Sequence, residues 1–328
     1  MGGDHAPRPI VDGAVAALRH LSGVVRLIGP REAISGELAR HGLAEDRALA
    51  IVDALEVIAM DESPVQALRR KPGASIRVAV REVAEGRATA VFSAGNTGAT
   101  VMAACTGLGL IPGVDRPALA TTIPTKHAPA VLLDAGANAE CRPAHLLQFA
   151  VMGSAYAQVS LGCATPRVGL LSIGEEATKG NELTREAHRL LKDAPVHFIG
   201  NVEARDIYAG VADVIVCDGF TGNVVLKTSE SLVDMVETRL GQELSSTFSA
   251  SVGYLLSQRA FRRFRRRVDY SEYGGAPLLG VNGVVVVGHG RSSAKAVRNA
   301  ILLADRFSTE GLVKRLERGV AAITVNES

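Results

Sequence analysis

Seven short apolar runs, each carrying a glycine at or near its end, constrain this chain most: LSGVVRLIG, RATAVFSAG, PAVLLDAG, RVGLLSIG, VHFIGNVE, ADVIVCDG and NGVVVVGHG. Their β-branched, almost unbroken apolar character predicts strands buried on both faces, since a strand with one wet face would alternate polar and apolar residues. Most are followed by helical periodicity, over residues 97–110, 143–161, 183–191 and 292–305. Buried strands joined by helices predict an α/β fold with a mostly parallel sheet between helical layers. Ligands of such sheets bind beyond the carboxyl ends of the strands, and the unusual polar residues of this chain follow those ends.

No 20–50-residue repeat and no long low-complexity linker interrupts the alternation, so a single α/β domain over residues 1–328 is expected. One region departs from it. Residues 229–268 read as a long helical stretch, a break at SSTFSASVG and a second helix, a hairpin projecting ahead of the last strand. The apolar runs are cut by Gly, Pro or charge before the roughly 18 residues of a membrane span, and the opening MGGDHAPRPIVDG has none of the features of a signal peptide. Cys105, Cys141, Cys163 and Cys217 are widely spaced, without a CxxC pair or a histidine at ligand spacing, which predicts a reduced, cytoplasmic chain with no metal.

The strand ends carry the candidate chemistry. In SAGNTGA, Gly95, Asn96, Thr97 and Gly98 open a helix, where small residues and free N–H groups suit an anion; the competing reading is a close-packed turn. LLDAGANAEC supplies Asp134 and Asn138 as polar site-lining residues, while Cys141, with no assignable cationic partner, reads as a structural thiol rather than an acyl-accepting nucleophile. SIGEEATKGNELT gathers Glu176, Lys179 and Asn181 before a helix, with Lys179 a point charge suited to phosphate or a developing oxyanion. In CDGFTGNVVLKT, Asp218, Thr221, Gly222 and Asn223 lead into another helix; Asn223 can donate to an oxyanion, and Asp218 or Thr221 can equally serve as a helix cap. GHGRSSAKAV has Ser293 where a dinucleotide fingerprint needs its third small residue, and no ribose-binding acid follows. Nicotinamide is therefore not expected, no cofactor is assigned, and His289 reads as a turn residue or substrate-pocket donor.

Six arginines fall between positions 259 and 267, although the formal net charge of the chain is only +2. Without them 30 basic residues face 34 acidic ones, so the positive charge is local. With aromatics at 4% and no Trp, the pattern argues against nucleic acid. Phe261, Phe264 and Val268 share a helix face amid Arg259, Arg262, Arg263, Arg265 and Arg266, and Leu255 and Leu256 precede them. Such a helix suits an acidic protein partner or an anionic lipid surface, or is simply a solvated basic helix.

Taken together, MGGDHAP, SAGNTGA, LLDAGANAEC, GEEATKGNELT, FIGNVEARDI, CDGFTGNVVLK and DYSEYGGAPLLGVNG resemble the bacterial phosphate acyltransferase family, from residue 1 to the last helix. The resemblance implies transfer of a fatty acyl group from acyl carrier protein to inorganic phosphate for phospholipid synthesis. It also implies a three-layer α/β/α fold similar to the isocitrate/isopropylmalate dehydrogenase group, a homodimer without metal, and peripheral contact with the membrane. Lys179 and Asn223 fall on the family's proposed catalytic positions. The turns at residues 95–98 and 221–223 match its anion-binding loops. Two alternatives stand beside this reading: a phosphotransacetylase-like enzyme using acyl-CoA, and a non-catalytic module that binds acyl carrier protein or membrane. In the family a strand precedes the Gly-Gly-Asp-His block, which predicts that the native product begins upstream of Met1 or that this chain is a truncated form, and that Asp4 and His5 are poorly anchored without the strand.

Overall fold

The computed structural model describes residues 1–268 and 274–325. In chain order the elements are α1 (Arg8–Leu18), β1 (Val25–Gly29), α2 (Arg31–Arg40), β2 (Leu49–Asp53), α3 (Pro64–Arg70), α4 (Ser75–Ala84), β3 (Ala90–Ser93) and α5 (Thr97–Leu108). Then come β4 (Ala118–Ile123), β5 (Ala130–Leu133), α6 (Pro143–Ser160), β6 (Arg167–Leu171), α7 (Glu182–Lys192), β7 (His197–Val202), β8 (Val214–Val216) and α8 (Gly219–Ser245). The chain closes with α9 (Phe248–Val268), β9 (Ala276–Leu279), β10 (Val284–Val287), α10 (Ala294–Thr309) and α11 (Leu312–Val325). All seven apolar runs form strands. β2, β4 and β9 are additional, and each is short or diluted with Ala, Thr or Pro.

An eight-stranded sheet, ordered β3-β10-β9-β4-β5-β8-β6-β7, runs through the molecule, and β1 and β2 form a separate parallel pair. The period-2 alternation of strand side chains divides the core into two helical layers. Val131 and Leu133 of β5, with Val214 and Val216 of β8, face α6, α10 and α11. Ala130, Leu132 and Ile215 face the other side, toward Val225 of α8, and Val91, Val285 and Val287 pack there beside α5. This is the three-layer α/β/α arrangement. α6 is apolar around most of its circumference, with Leu146, Phe149, Met152 and Tyr156 at most 1% exposed, as befits a helix enclosed by sheet and neighbours.

The sheet is mostly parallel, but its strands do not all run one way. β3 and β10 are parallel, β9 opposes both β10 and β4, and β4 opposes both β9 and β5. β5, β8, β6 and β7 are mutually parallel, and so run opposite to β3 and β10. The carboxyl ends therefore open on two edges of the sheet rather than one. The turns after β3 and β10 lie at a first edge; those after β5, β6 and β8 lie at a second.

An apolar cavity of about 400 Å³ separates β1 from β3, lined by Val25, Leu27, Ile28, Ala90 and Phe92 with Ile10 and Ile301. Met1 also lines it, and its nitrogen donates to the Ile28 carbonyl at 2.5 Å. The Asp4 N–H donates to the Gly290 carbonyl at 2.8 Å, and Asp4 and His5 are both exposed.

Leu132 is fully buried on a central strand. Leu132→Ala should cost about 2–5 kcal/mol of unfolding free energy, read as a lower denaturation midpoint with an unchanged slope.

Candidate functional site

The second edge is organised by one buried carboxylate. Asp134 is 0% exposed. Its Oδ1 accepts the N–H groups of Leu119, Gly136 and Ala137 at 2.9, 3.0 and 2.9 Å. Its Oδ2 accepts the backbone N–H and the side-chain amide of Asn138, both at 2.8 Å. Burial raises the carboxyl pKa, and the donors oppose that by favouring the charged form. Asn138 also donates to the Pro117 carbonyl at 2.7 Å and accepts the Gly219 N–H at 2.8 Å. Asp134 and Asn138 thus lie beneath the turn and hold it, where site-lining roles were expected.

The first turn of α8 sits directly on this platform because it contains glycine. A Cβ on Gly222 would fall 1.9 Å from the Asp134 carbonyl oxygen, and one on Gly219 would fall 2.5 Å from the Asn138 oxygen. Asn223 is thereby set over Gly136, whose φ of +135° only glycine adopts readily, with the side chain exposed at the edge. Asp218 caps the helix: Oδ1 accepts the Thr221 N–H at 2.8 Å and Oδ2 the Thr221 hydroxyl at 2.7 Å. Of the two readings of that turn, the cap is the one visible in the geometry.

β6 pairs with β8, so the turn carrying Lys179 leaves the same edge one strand away. Lys179 is exposed, its N–H donates to the Glu176 carbonyl at 3.0 Å, and its stem lies over Gly174, where a Cβ would meet Cγ at 2.8 Å. The Glu176 side chain is exposed. Asn181 caps α7 by accepting the Thr184 N–H at 2.9 Å. Two anchors outside the quoted strand-end turns fasten this one: Asn201 of β7 donates to the Glu176 carbonyl at 2.9 Å, and Arg205 pairs with Glu175 at 3.2 Å. The signal available in sequence for Asn201 was a lone amide inside the apolar run HFIGNV.

The first edge holds the remaining candidates. Asn96 caps α5 by accepting the Ala99 N–H at 3.0 Å, while its amide nitrogen faces the carbonyls of Ala59, Met60 and Glu62 at 3.0–3.2 Å. Gly95 lies against Gly2, on which a Cβ would fall 3.0 Å from the Gly95 backbone, and Gly98 lies against Pro64, whose Cγ a Cβ on Gly98 would meet at 2.7 Å. The turn containing Gly95, Asn96, Thr97 and Gly98 is therefore fitted closely to other segments of the chain. His289 faces Glu230 of α8 at 3.2 Å, and Lys227 pairs with the same carboxylate at 3.1 Å. Against the opposing pull of its burial, these neighbours hold the Glu230 carboxyl below the usual range. From Gly219 to Glu230 α8 rises about 16 Å, which takes it from the second edge to the first. The structure thus groups Lys179, Asn223, Thr221 and Gly222 at one edge, and residues 95–98 with His289 at the other.

On the hairpin, Arg259, Arg263, Leu255 and Leu256 are exposed. The side chains of Arg262, Arg265 and Arg266, and the DYSEY segment, lie outside the described residues. Among the described residues no group of three His, Cys, Asp or Glu is placed to hold a metal ion, and no helix is long and apolar enough to cross a membrane.

A family model described as "Fatty acid synthesis protein" matches residues 1–315. Phosphate acyltransferase from Heliobacterium modesticaldum is 52% identical over 98% of this chain and 96% of that protein, and the one from Acidobacterium capsulatum is 51% identical over 98% and 95%. Among solved structures, a phosphotransacetylase from Streptococcus pyogenes superposes with a TM-score of 0.62 at 18% identity, over 93% of this chain and 92% of that one. A 4-hydroxythreonine-4-phosphate dehydrogenase from Klebsiella pneumoniae gives 0.52 at 13% identity, over 92% and 95%. The structural likenesses speak for the fold.

Burial pushes the half-buried Cys141 thiol up to about 11, and the nearby Asp134 and Asp218 charges add to the shift. Its alkylation by iodoacetamide at pH 8 should be at least about tenfold slower in the native protein than in the unfolded chain, since only the thiolate reacts. A rate matching the unfolded chain would contradict this environment.

Proposed function

The chain belongs to the phosphate acyltransferase family, and on that premise we propose that it uses acyl carrier protein as acyl donor, with Lys179 and Asn223 as the groups that act on the reacting atoms. The family assignment itself makes the protein an acyltransferase that transfers acyl groups to phosphate in lipid synthesis. The observation that carries the site reading is the placement of Asn223 over Gly136 at the amino end of α8, at the same sheet edge as the turn bearing Lys179.

In this reading a phosphate oxygen attacks the thioester carbonyl carbon, forming the new C–O bond and a tetrahedral oxyanion. Collapse breaks the C–S bond, and the electron pair leaves on the carrier thiolate, which takes a proton from solvent. Phosphate is already a nucleophile, so the protein's task is to position and stabilise. The Lys179 ammonium neutralises phosphate or the oxyanion, and the Asn223 amide donates a hydrogen bond to the charge that develops. The amino end of α8 adds favourable partial charge. Cys141, with its thiol protonated at neutral pH, takes no covalent part.

Incubating the protein with long-chain acyl carrier protein and phosphate, then trapping acyl phosphate as the hydroxamate, tests the donor. Lys179→Ala and Asn223→Ala should each lower kcat by about 10²–10³-fold. Absence of product from the acyl carrier protein rejects the donor assignment; equal or better turnover of acyl-CoA favours the phosphotransacetylase-like alternative.

The exposed hydrophobic and basic residues of the hairpin support two further parts of the proposal. The apolar row Val224, Leu232, Met235 and Val236, each more than 40% exposed on α8, fits a homodimer contact. Arg259 and Arg263, with Leu255 and Leu256 at 68% and 81% exposure, fit acidic carrier docking and peripheral attachment to an anionic membrane from the cytoplasm. Replacing Arg262, Arg263, Arg265 and Arg266 by Glu should raise KM for acyl carrier protein, whereas Leu255→Ser with Leu256→Ser should mainly weaken liposome binding. An unchanged KM removes the docking role, and a monomer in sedimentation equilibrium removes the dimer.

A further inference from the structure

We infer that Asn201 is a positioning residue for acyl transfer, aiming Lys179 through the turn on which it stands; this rests on the reading of Lys179 given above. Asn201 is 7% exposed, inside a strand whose other residues are mainly apolar. Its burial depends on a bulge. Val168 pairs with Phe198 but Gly169 pairs with Gly200, so Ile199 is an extra residue in β7, and Gly200 accommodates it with a φ of +100°. Regular alternation from the exposed His197 and Ile199 would turn residue 201 outward; the bulge turns it inward, next to the buried Val202.

Once buried, the amide is committed at both ends. Its Nδ2 donates to the Glu176 carbonyl at 2.9 Å, three residues before Lys179. That fixes the orientation of the amide, so Oδ1 must be the acceptor in its 2.8 Å contact with His188 Nδ1, which therefore carries the proton. His188 is itself 6% exposed on α7 and is held edge-on by Phe198, with ring centroids 5.2 Å apart. The Glu176 carbonyl also accepts the Lys179 N–H. A chain of contacts thus runs from α7 through His188 and Asn201 of β7 to the Glu176 carbonyl, which accepts the Lys179 N–H. A buried amide costs free energy unless it is hydrogen-bonded, and here one partner is the turn and the other is the α7 histidine.

The test uses Asn201→Asp, which keeps an acceptor for His188 and replaces the donor to the Glu176 carbonyl by a carboxylate oxygen that repels it. The expected result is a loss of about 10- to 100-fold in kcat/KM for phosphate, with trypsin cutting faster after Lys179. In a Lys179→Ala background the same substitution should cost less than about twofold, because there is no ammonium left to aim. An equal loss in both backgrounds, or an unchanged rate of cleavage after Lys179, overturns the inference alone. Full activity of Lys179→Ala overturns the reading of Lys179 and this inference with it. Should Asn201→Asp fail to fold, His188→Leu frees the amide to rotate and is expected to show the same dependence on Lys179; activity at the parent level in that variant overturns the inference.

Discussion

The Asp134 carboxylate is the contact on which the candidate site depends. A carboxylate removed from water is costly unless its oxygens are supplied with donors, and Asp134 receives five, from Leu119, Gly136, Ala137 and Asn138. Those donors belong to β4 and to the turn after β5, so satisfying the charge also closes the turn. Asn138 then passes the order on by accepting the Gly219 N–H, which seats the first turn of α8. Gly219 and Gly222 permit that seat through their lack of a Cβ, and Asn223 is aimed as a result.

The antiparallel strands β4 and β9 have a second consequence. They reverse the sheet at its centre, so the polar turns of the chain are shared between two edges. α8 spans the gap. It begins on the Asp134 platform and meets His289 through Glu230 about three turns later, with Lys227 on the same carboxylate. One helix therefore ties the edge that holds Lys179 and Asn223 to the edge that holds residues 95–98, and continues outward as the first arm of the hairpin.

Much of the fold was legible because it rests on local pattern. Continuous β-branched runs become strands, and the helical periodicities lie within a few residues of α5, α6, α7 and α10. β4, with the sequence ALATTI, and β9, with APLL, were not legible, since short runs containing Ala, Thr or Pro carry little strand signal. The direction of β5 followed from them and was lost as well. Within the site, the residue types were readable and their duties were not. Asp134, Asn96 and Asn181 look alike in sequence as polar groups at strand ends. The structure spends each on backbone donors, as a turn organiser or a helix cap. Asn201 was readable as a residue only; its inward aim depends on one extra residue in β7.

By itself the sequence determined the α/β class, the seven principal strands, and the motifs that identify the family, because these follow from periodicity and from residues close together in the chain. The tertiary structure alone decided which strand ends share an edge, which polar side chains are exposed, and which are consumed in holding others. The physical reason is that hydrogen-bond partners and strand directions are set across the sheet by residues tens to hundreds of positions apart. A polar group is free for chemistry only when none of those distant partners has claimed it.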